Sequence, residues 1–142
     1  MNAVKTPLLL RIGEVSAQSS LPIKTIRYYD EIGLLSPAVE RSQAGYRLFR
    51  PLVIERLGFI KRAQSLGLSL TEVKDILEVH DQGQLPCDRV KQQIHGKVQT
   101  IDQQIRQLQA LRAELQDLLN DWQEEPSAHL AETLICPNIE TL

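Results

Sequence analysis

The sequence predicts a mainly α fold: a helix-turn-helix with a hairpin wing, then one long helix carrying a heptad seam, then a short tail. Three observations predict it. The run Lys24-Thr25-Ile26-Arg27-Tyr28-Tyr29-Asp30 gathers cationic, hydroxyl and aromatic side chains within barely two turns. From Cys87 to about Asn120 there is no proline and a single glycine, Gly96. The charge is also divided, for residues 1–67 carry ten Lys/Arg against five Asp/Glu, and residues 68–142 carry six against thirteen. A net charge of −2 therefore conceals a basic first half.

Taken in order, Ile12-Gly13-Glu14-Val15-Ser16-Ala17 opens a short helix that breaks at Ser19-Ser20. The basic run forms the next helix, stopped by Gly33-Leu34-Leu35, and Pro37 blocks any continuation. Two short helices joined by a tight turn, the second one basic, make a helix-turn-helix. Ala38–Arg41 and Tyr46–Phe49 then pair as a hairpin across Ser42-Gln43-Ala44-Gly45. That wing holds Arg41, Tyr46, Arg47 and Arg50 beside the basic helix.

Pro51 sits where a further helix begins, with Leu52, Ile54, Leu57, Ile60 and Ala63 at helical spacing until Gly67. Ser69 caps the helix after it, and Glu72 completes a capping box. Gly83 and Pro86 interrupt the chain. The long helix follows, with Ile94, Val98, Ile101, Ile105, Leu108, Leu115 and Leu119 three and four apart, broken only at Arg112 beside Leu111. This is a heptad seam. About 34 residues at ~1.5 Å each give roughly 50 Å of helix. No other element of the chain is large enough to cover its apolar stripe, so a homodimer is expected.

The organisation expected is a winged-helix DNA-binding domain with an accessory helix pair over residues 9–82, a dimerisation helix over 86–120, and an effector-binding loop and tail over 121–142. Lys24, Thr25, Arg27 and Tyr28 are expected at the groove of double-stranded DNA or its phosphates. Tyr29, Arg41, Tyr46 and Arg47 are expected on the flanking backbone. No apolar run approaches the ~18–20 residues of a membrane span. Pro7–Leu10 is too short for a signal-peptide core, so no membrane association and a cytoplasmic location are expected. Two cysteines in that compartment read as free thiols or metal ligands rather than as a disulfide. No nucleophile–base pair, phosphate-cradling glycine loop or carboxylate dyad points to an enzyme.

Thr25-Ile26-Arg27-Tyr28-Tyr29-Asp30, Ile32-Gly33-Leu34, Gly45-Tyr46-Arg47 and the stretch from Ile60 to Leu70 resemble the MerR family of bacterial transcription regulators. The resemblance implies a winged-helix dimer that binds a palindromic promoter. It also implies that the long helices pair antiparallel. The dimer would distort the promoter spacer so that RNA polymerase, acting through the DNA, can engage it.

Within that family the chain resembles the branch that senses divalent heavy metals. There a cysteine opens the dimerisation helix, as Cys87 does, and a Cys-Pro closes the tail, as Cys136-Pro137 does. In an antiparallel dimer, Cys87 of one copy would approach Cys136 of the other. The chain departs from the branch after the long helix, where Trp122 stands roughly in the place of a further cysteine. His129 is then the first candidate for the missing ligand, with Asp121, Glu124 and Glu125 behind it. Two thiolates and an imidazole suit tetrahedral Zn, and also Co or Cd; Pb belongs to the same branch, and two thiolates alone hold Hg. The alternative is a regulator of the same kind whose signal is thiol redox chemistry or a protein partner.

Overall fold

The computed structural model describes residues 8–140. Pro7 of the short apolar run and the last two residues of the expected tail lie outside the described residues. The elements are β1 (Leu10–Arg11), α1 (Ile12–Ser19), α2 (Ile23–Glu31), β2 (Val39–Arg41), β3 (Arg47–Phe49), α3 (Val53–Ser65), α4 (Leu70–Asp81), α5 (Cys87–Asn120) and α6 (Pro137–Glu140). Single 3₁₀ turns occur at Ser36–Ala38 and Ala128–Glu132. The fold is mainly α, as expected. The chain divides into two compact units, with the boundary inside α5 between Lys97 and Val98.

The first unit has one hydrophobic core. Val15 of α1, Ile26 of α2, Leu34 and Leu35 after it, Phe49 of β3, Val53, Leu57 and Ile60 of α3, and Val73 and Ile76 of α4 are at most 1 % exposed. Each helix contributes an apolar stripe too narrow to be buried alone, so the stripes meet at a common centre. Local chemistry then sets the ends. Glu72 N donates to Ser69 Oγ at 3.2 Å and Ser69 N to Glu72 Oε1 at 3.0 Å, the capping box expected at α4.

Helix α2 stops in a Schellman turn. Leu34 N donates to the Tyr29 carbonyl at 2.9 Å and Gly33 N to that of Asp30 at 3.0 Å. The turn needs a positive φ at Gly33, which is +84°, and it swings Leu34 back into the core.

The wing is a three-stranded sheet in the order β1-β3-β2, with both pairs antiparallel. Leu10 and Val39 flank Phe49 across the sheet, and Arg41 pairs with Arg47. Strand β1 joins the expected hairpin. Two residues carry no readable alternation, so only the tertiary pairing reveals it.

Helix α5 runs unbroken for 34 residues and contains no buried residue. Its first turns belong to the first unit, where Val90 packs against the core. Arg89 and Gln93 reach Asp75 at 2.5 and 2.9 Å, and Lys97 reaches Glu72 at 3.0 Å.

The second unit holds the rest of α5, the loop after it and α6. None of its described residues is fully buried. Asn138 closes its tail onto the end of the long helix, accepting from Gln123 N at 2.9 Å and donating to the Gln123 carbonyl at 3.0 Å.

Candidate functional site

Helix α2 sorts its side chains by the 3.6-residue period. Ile26 and Tyr29, three residues apart, turn inward, and Lys24, Arg27 and Tyr28 turn outward. Tyr28 is 50 % exposed, and Thr25 is half-buried beside it. Tyr29 corrects an expectation: it is 7 % exposed and part of the core. Its hydroxyl donates to Gln64 Oε1 of α3 at 2.8 Å, and burial raises its pKa above the usual phenol value. The ring is large enough to fill core space while its polar tip finds a partner within the protein.

The wing places Arg41 and Arg47 near the C-terminal end of α2. Arg41 is exposed and donates to the Gly45 carbonyl at 3.1 Å. Tyr46 is exposed, and the Arg11 guanidinium stands 5.1 Å from its ring centre. Arg47 faces inward, with Nε donating to Asp30 Oδ2 at 2.7 Å. Arg50 lies 3.7 Å from Glu40 at the base of the wing.

Sequence reasoning missed Arg11 and Asp30 as members of this surface. Arg11 lies 35 residues from Tyr46, and no local pattern links them. For Asp30 a signal was present, since an acid in the last turn of a basic helix opposes the helix dipole and calls for a cation nearby.

The three expected metal ligands fall in different units, Cys87 in the first and His129 and Cys136 in the second. Cys87 is a free, exposed thiol at the start of α5 in the first unit. Cys136 is a free, half-buried thiol in the second unit, with its backbone N–H donating to Glu140 Oε2 at 2.7 Å. His129 is exposed, its Nδ1 2.7 Å from Ser127 Oγ. Among the described residues, no three His, Cys, Asp or Glu side chains come together in a group that could hold a metal. The donor types suit a soft divalent ion.

Cys87 also edges a groove of about 720 Å³ within the first unit, walled by Ala38, Leu52, Phe59, Leu77 and His80. Its walls come from four separate stretches of chain, which is why the sequence shows no trace of it.

A helix-turn-helix whose second helix exposes Lys24, Arg27 and Tyr28 beside a basic wing defines a DNA-binding regulator, not an enzyme. The comparisons agree. The family model described as "MerR HTH family regulatory protein" matches residues 10–79, and that described as "MerR, DNA binding" matches residues 54–118. The chain is 35 % identical over 133 residues to the HTH-type transcriptional regulator HmrR of Rhizobium leguminosarum bv. viciae, covering 94 % of this chain and 97 % of that one. It is 35 % identical over 132 residues to the mercuric resistance operon regulatory protein of Bacillus cereus, covering 93 % and 96 %.

Among solved structures it is similar to the transcription regulator PbrR691 from Ralstonia metallidurans CH34 in complex with lead(II). The TM-score there is 0.70 at 30 % identity, over 83 % of this chain and 91 % of that one. The chain belongs to the MerR family of transcriptional regulators. Among the described residues no helix is long and apolar enough to cross a membrane.

Proposed function

We propose that the chain is a metal-responsive regulator that acts as a homodimer on a pseudo-palindromic promoter in the cytoplasm. The observation that carries the proposal is the seam of α5. Ile94, Val98, Ile101, Ile105, Leu108, Leu111, Leu115 and Leu119 are all 41–64 % exposed along one continuous helix. An apolar stripe of that length calls for a partner, and a second copy of the same stripe supplies one. Two-fold pairing in turn presents two α2 helices to two half-sites.

Residues 9–82 are the DNA-binding part in this reading, 86–120 the dimerisation helix and 121–142 the effector tail. Lys24, Thr25, Arg27 and Tyr28 meet the groove and its phosphates, and Arg41 and Tyr46 meet the flanking backbone. When the metal binds, the dimer activates transcription by distorting the promoter spacer, so that specificity depends on DNA deformability as well as on base contacts, and polymerase responds through the DNA.

The metal reading rests on the chemistry of Cys87 and Cys136 and on the names of the relatives, which include a mercuric resistance regulator and a lead(II)-bound regulator. With α5 helices antiparallel, Cys87 of one copy and Cys136 of the other, with His129, would hold the ion. Such a site changes the angle between two DNA-binding lobes only through a difference in affinity between two dimer conformations.

Titration of the reduced dimer with Zn, Cd, Co, Pb and Hg against a competing chelator tests the site. Tight binding of one ion, lost in both Cys87→Ser and Cys136→Ser, is expected, and that ion should change promoter binding by the wild type alone. Weak binding indifferent to either substitution would sink the metal reading and leave a regulator with a thiol-redox or protein signal.

A further inference from the structure

Arg47 carries the charge of a phosphate contact, but its guanidinium is already engaged. Nε donates to Asp30 Oδ2 at 2.7 Å, Nη2 lies 3.8 Å from Glu31 Oε1, and Arg41 Nη2 stands 3.9 Å from the same Asp30 oxygen. The Arg47 and Asp30 side chains are 18 % and 14 % exposed, against 55 % for Arg41. The pair is thus largely withdrawn from solvent and screened little, whereas Arg41, held at Nη1 by the Gly45 carbonyl, keeps more than half of its side chain exposed.

The pair also joins two elements that need joining. Asp30 lies in the last turn of α2, and Arg47 opens β3, the central strand of the wing. Strands β2 and β3 are only three residues long, and a ribbon that short has little rigidity of its own.

We infer that Asp30 and Arg47 form the clamp that seats the wing against α2, and that Arg47 acts by positioning Arg41 and Tyr46 on the DNA backbone rather than by meeting a phosphate itself. The inference rests on the DNA-binding reading of α2 and the wing.

It makes a prediction whose sign is contrary to simple electrostatics. Asp30 is an anion beside a phosphate-binding surface, so removing its charge should by itself tighten DNA binding. Removing a clamp loosens it.

The test uses the full-length protein and a duplex that the wild type selects from a random-sequence library. Affinity is measured for the wild type, Asp30→Ala, Arg47→Gln, the double variant, Asp30→Glu and Arg41→Gln. Phosphate-ethylation interference and thermal unfolding are recorded for each. Asp30→Ala is expected to weaken binding about tenfold although it deletes a negative charge. The double variant should be no weaker than Arg47→Gln, because the two side chains act as one unit.

Asp30→Glu, which keeps the carboxylate, should recover most of the loss. Ethylation interference should fade only at those phosphates that Arg41→Gln also silences, a pattern that general destabilisation does not produce. Tighter binding by Asp30→Ala, or additive losses in the double variant, would overturn the clamp and return Arg47 to the phosphates. Should Asp30→Ala be too unstable to assay, Asp30→Asn carries the same test of sign. A wild type that selects no duplex overturns the DNA-binding reading itself, and the clamp with it.

Discussion

Arg56 and Asp81 form a two-pronged ion pair between α3 and the last turn of α4, Nη1 to Oδ1 at 2.6 Å and Nη2 to Oδ2 at 3.0 Å. The same guanidinium gives its Nε to the Leu34 carbonyl, just past the end of α2. Lys74 of α4 reaches the Ile32 carbonyl at 3.1 Å. Two cations on two helices therefore hold the carbonyls left open where α2 ends, and α2 is fixed relative to its scaffold. Only a planar fork with a third nitrogen satisfies Asp81 and Leu34 together.

Replacing Arg56 by Met keeps most of the volume but strands a carboxylate and a carbonyl. The expected loss is about 2–3 kcal/mol of folding stability, with Arg56→Lys intermediate. Urea denaturation of the three proteins measures it; equal midpoints would mean that the fork contributes nothing.

The two adjacent tyrosines should separate cleanly. Tyr29→Phe deletes the hydroxyl that donates to Gln64 and should lower stability by about 1 kcal/mol with DNA affinity unchanged. Tyr28→Ala removes an exposed ring and should leave stability within about 0.5 kcal/mol while weakening DNA binding. Denaturation and fluorescence-anisotropy binding, run on both variants, decide it. The reverse pattern would mean that the burial of α2 is misassigned.

Acid should loosen the attachment of α4 to the start of α5. The Ser69 backbone N–H, and then Lys97, hold the Glu72 carboxyl below its usual range; hydrogen bonds from Arg89 and Gln93 do the same for Asp75. A carboxyl depressed in the folded state stabilises that state above its unfolded pKa, and the contribution disappears as pH falls through the folded value. Stability should therefore decline from about pH 5 downward, and less steeply in Asp75→Asn. Thermal midpoints across a pH series, compared between wild type and variant, give the result; parallel curves would remove Asp75 from the account.

Charge placed in the middle of the α5 seam should dissolve the proposed dimer. Ile101 and Ile105 are 46 % and 47 % exposed, and each side chain is worth about 1.5–3 kcal/mol when fully buried. Ile101→Asp with Ile105→Asp should weaken self-association at least about a hundredfold while the first unit keeps its fold. Light scattering and circular dichroism read the two effects. A variant that remains dimeric would place the interface elsewhere.

Much of this molecule is legible along the chain because the determining forces are local. The α4 capping box, the glycine stop of α2 and the uninterrupted α5 all depend on residues within one or two turns of one another. Each was readable at Ser69–Glu72, at Gly33 and between Cys87 and Asn120. The outward face of α2 was readable only in part. Lys24, Arg27 and Tyr28 are exposed as expected, but Tyr29 followed Ile26 into the core, a consequence of the same three-residue spacing.

What the sequence by itself determined is the order of the five helices from α1 to α5 with the β2–β3 hairpin between them, the basic half with its helix-turn-helix, and an apolar seam too long for the chain to cover. Tertiary structure decided which charged groups are spent on architecture. Arg47 went to Asp30 and Arg56 to Asp81, partners 17 and 25 residues away, while Arg41 stayed exposed. It also added β1 to the wing and opened a groove beside Cys87. The physical reason is common to all of these. Helix caps and periodicity are set by neighbours along the chain, whereas the partner of a buried charge is chosen by whatever the packed core brings within about 3 Å of it.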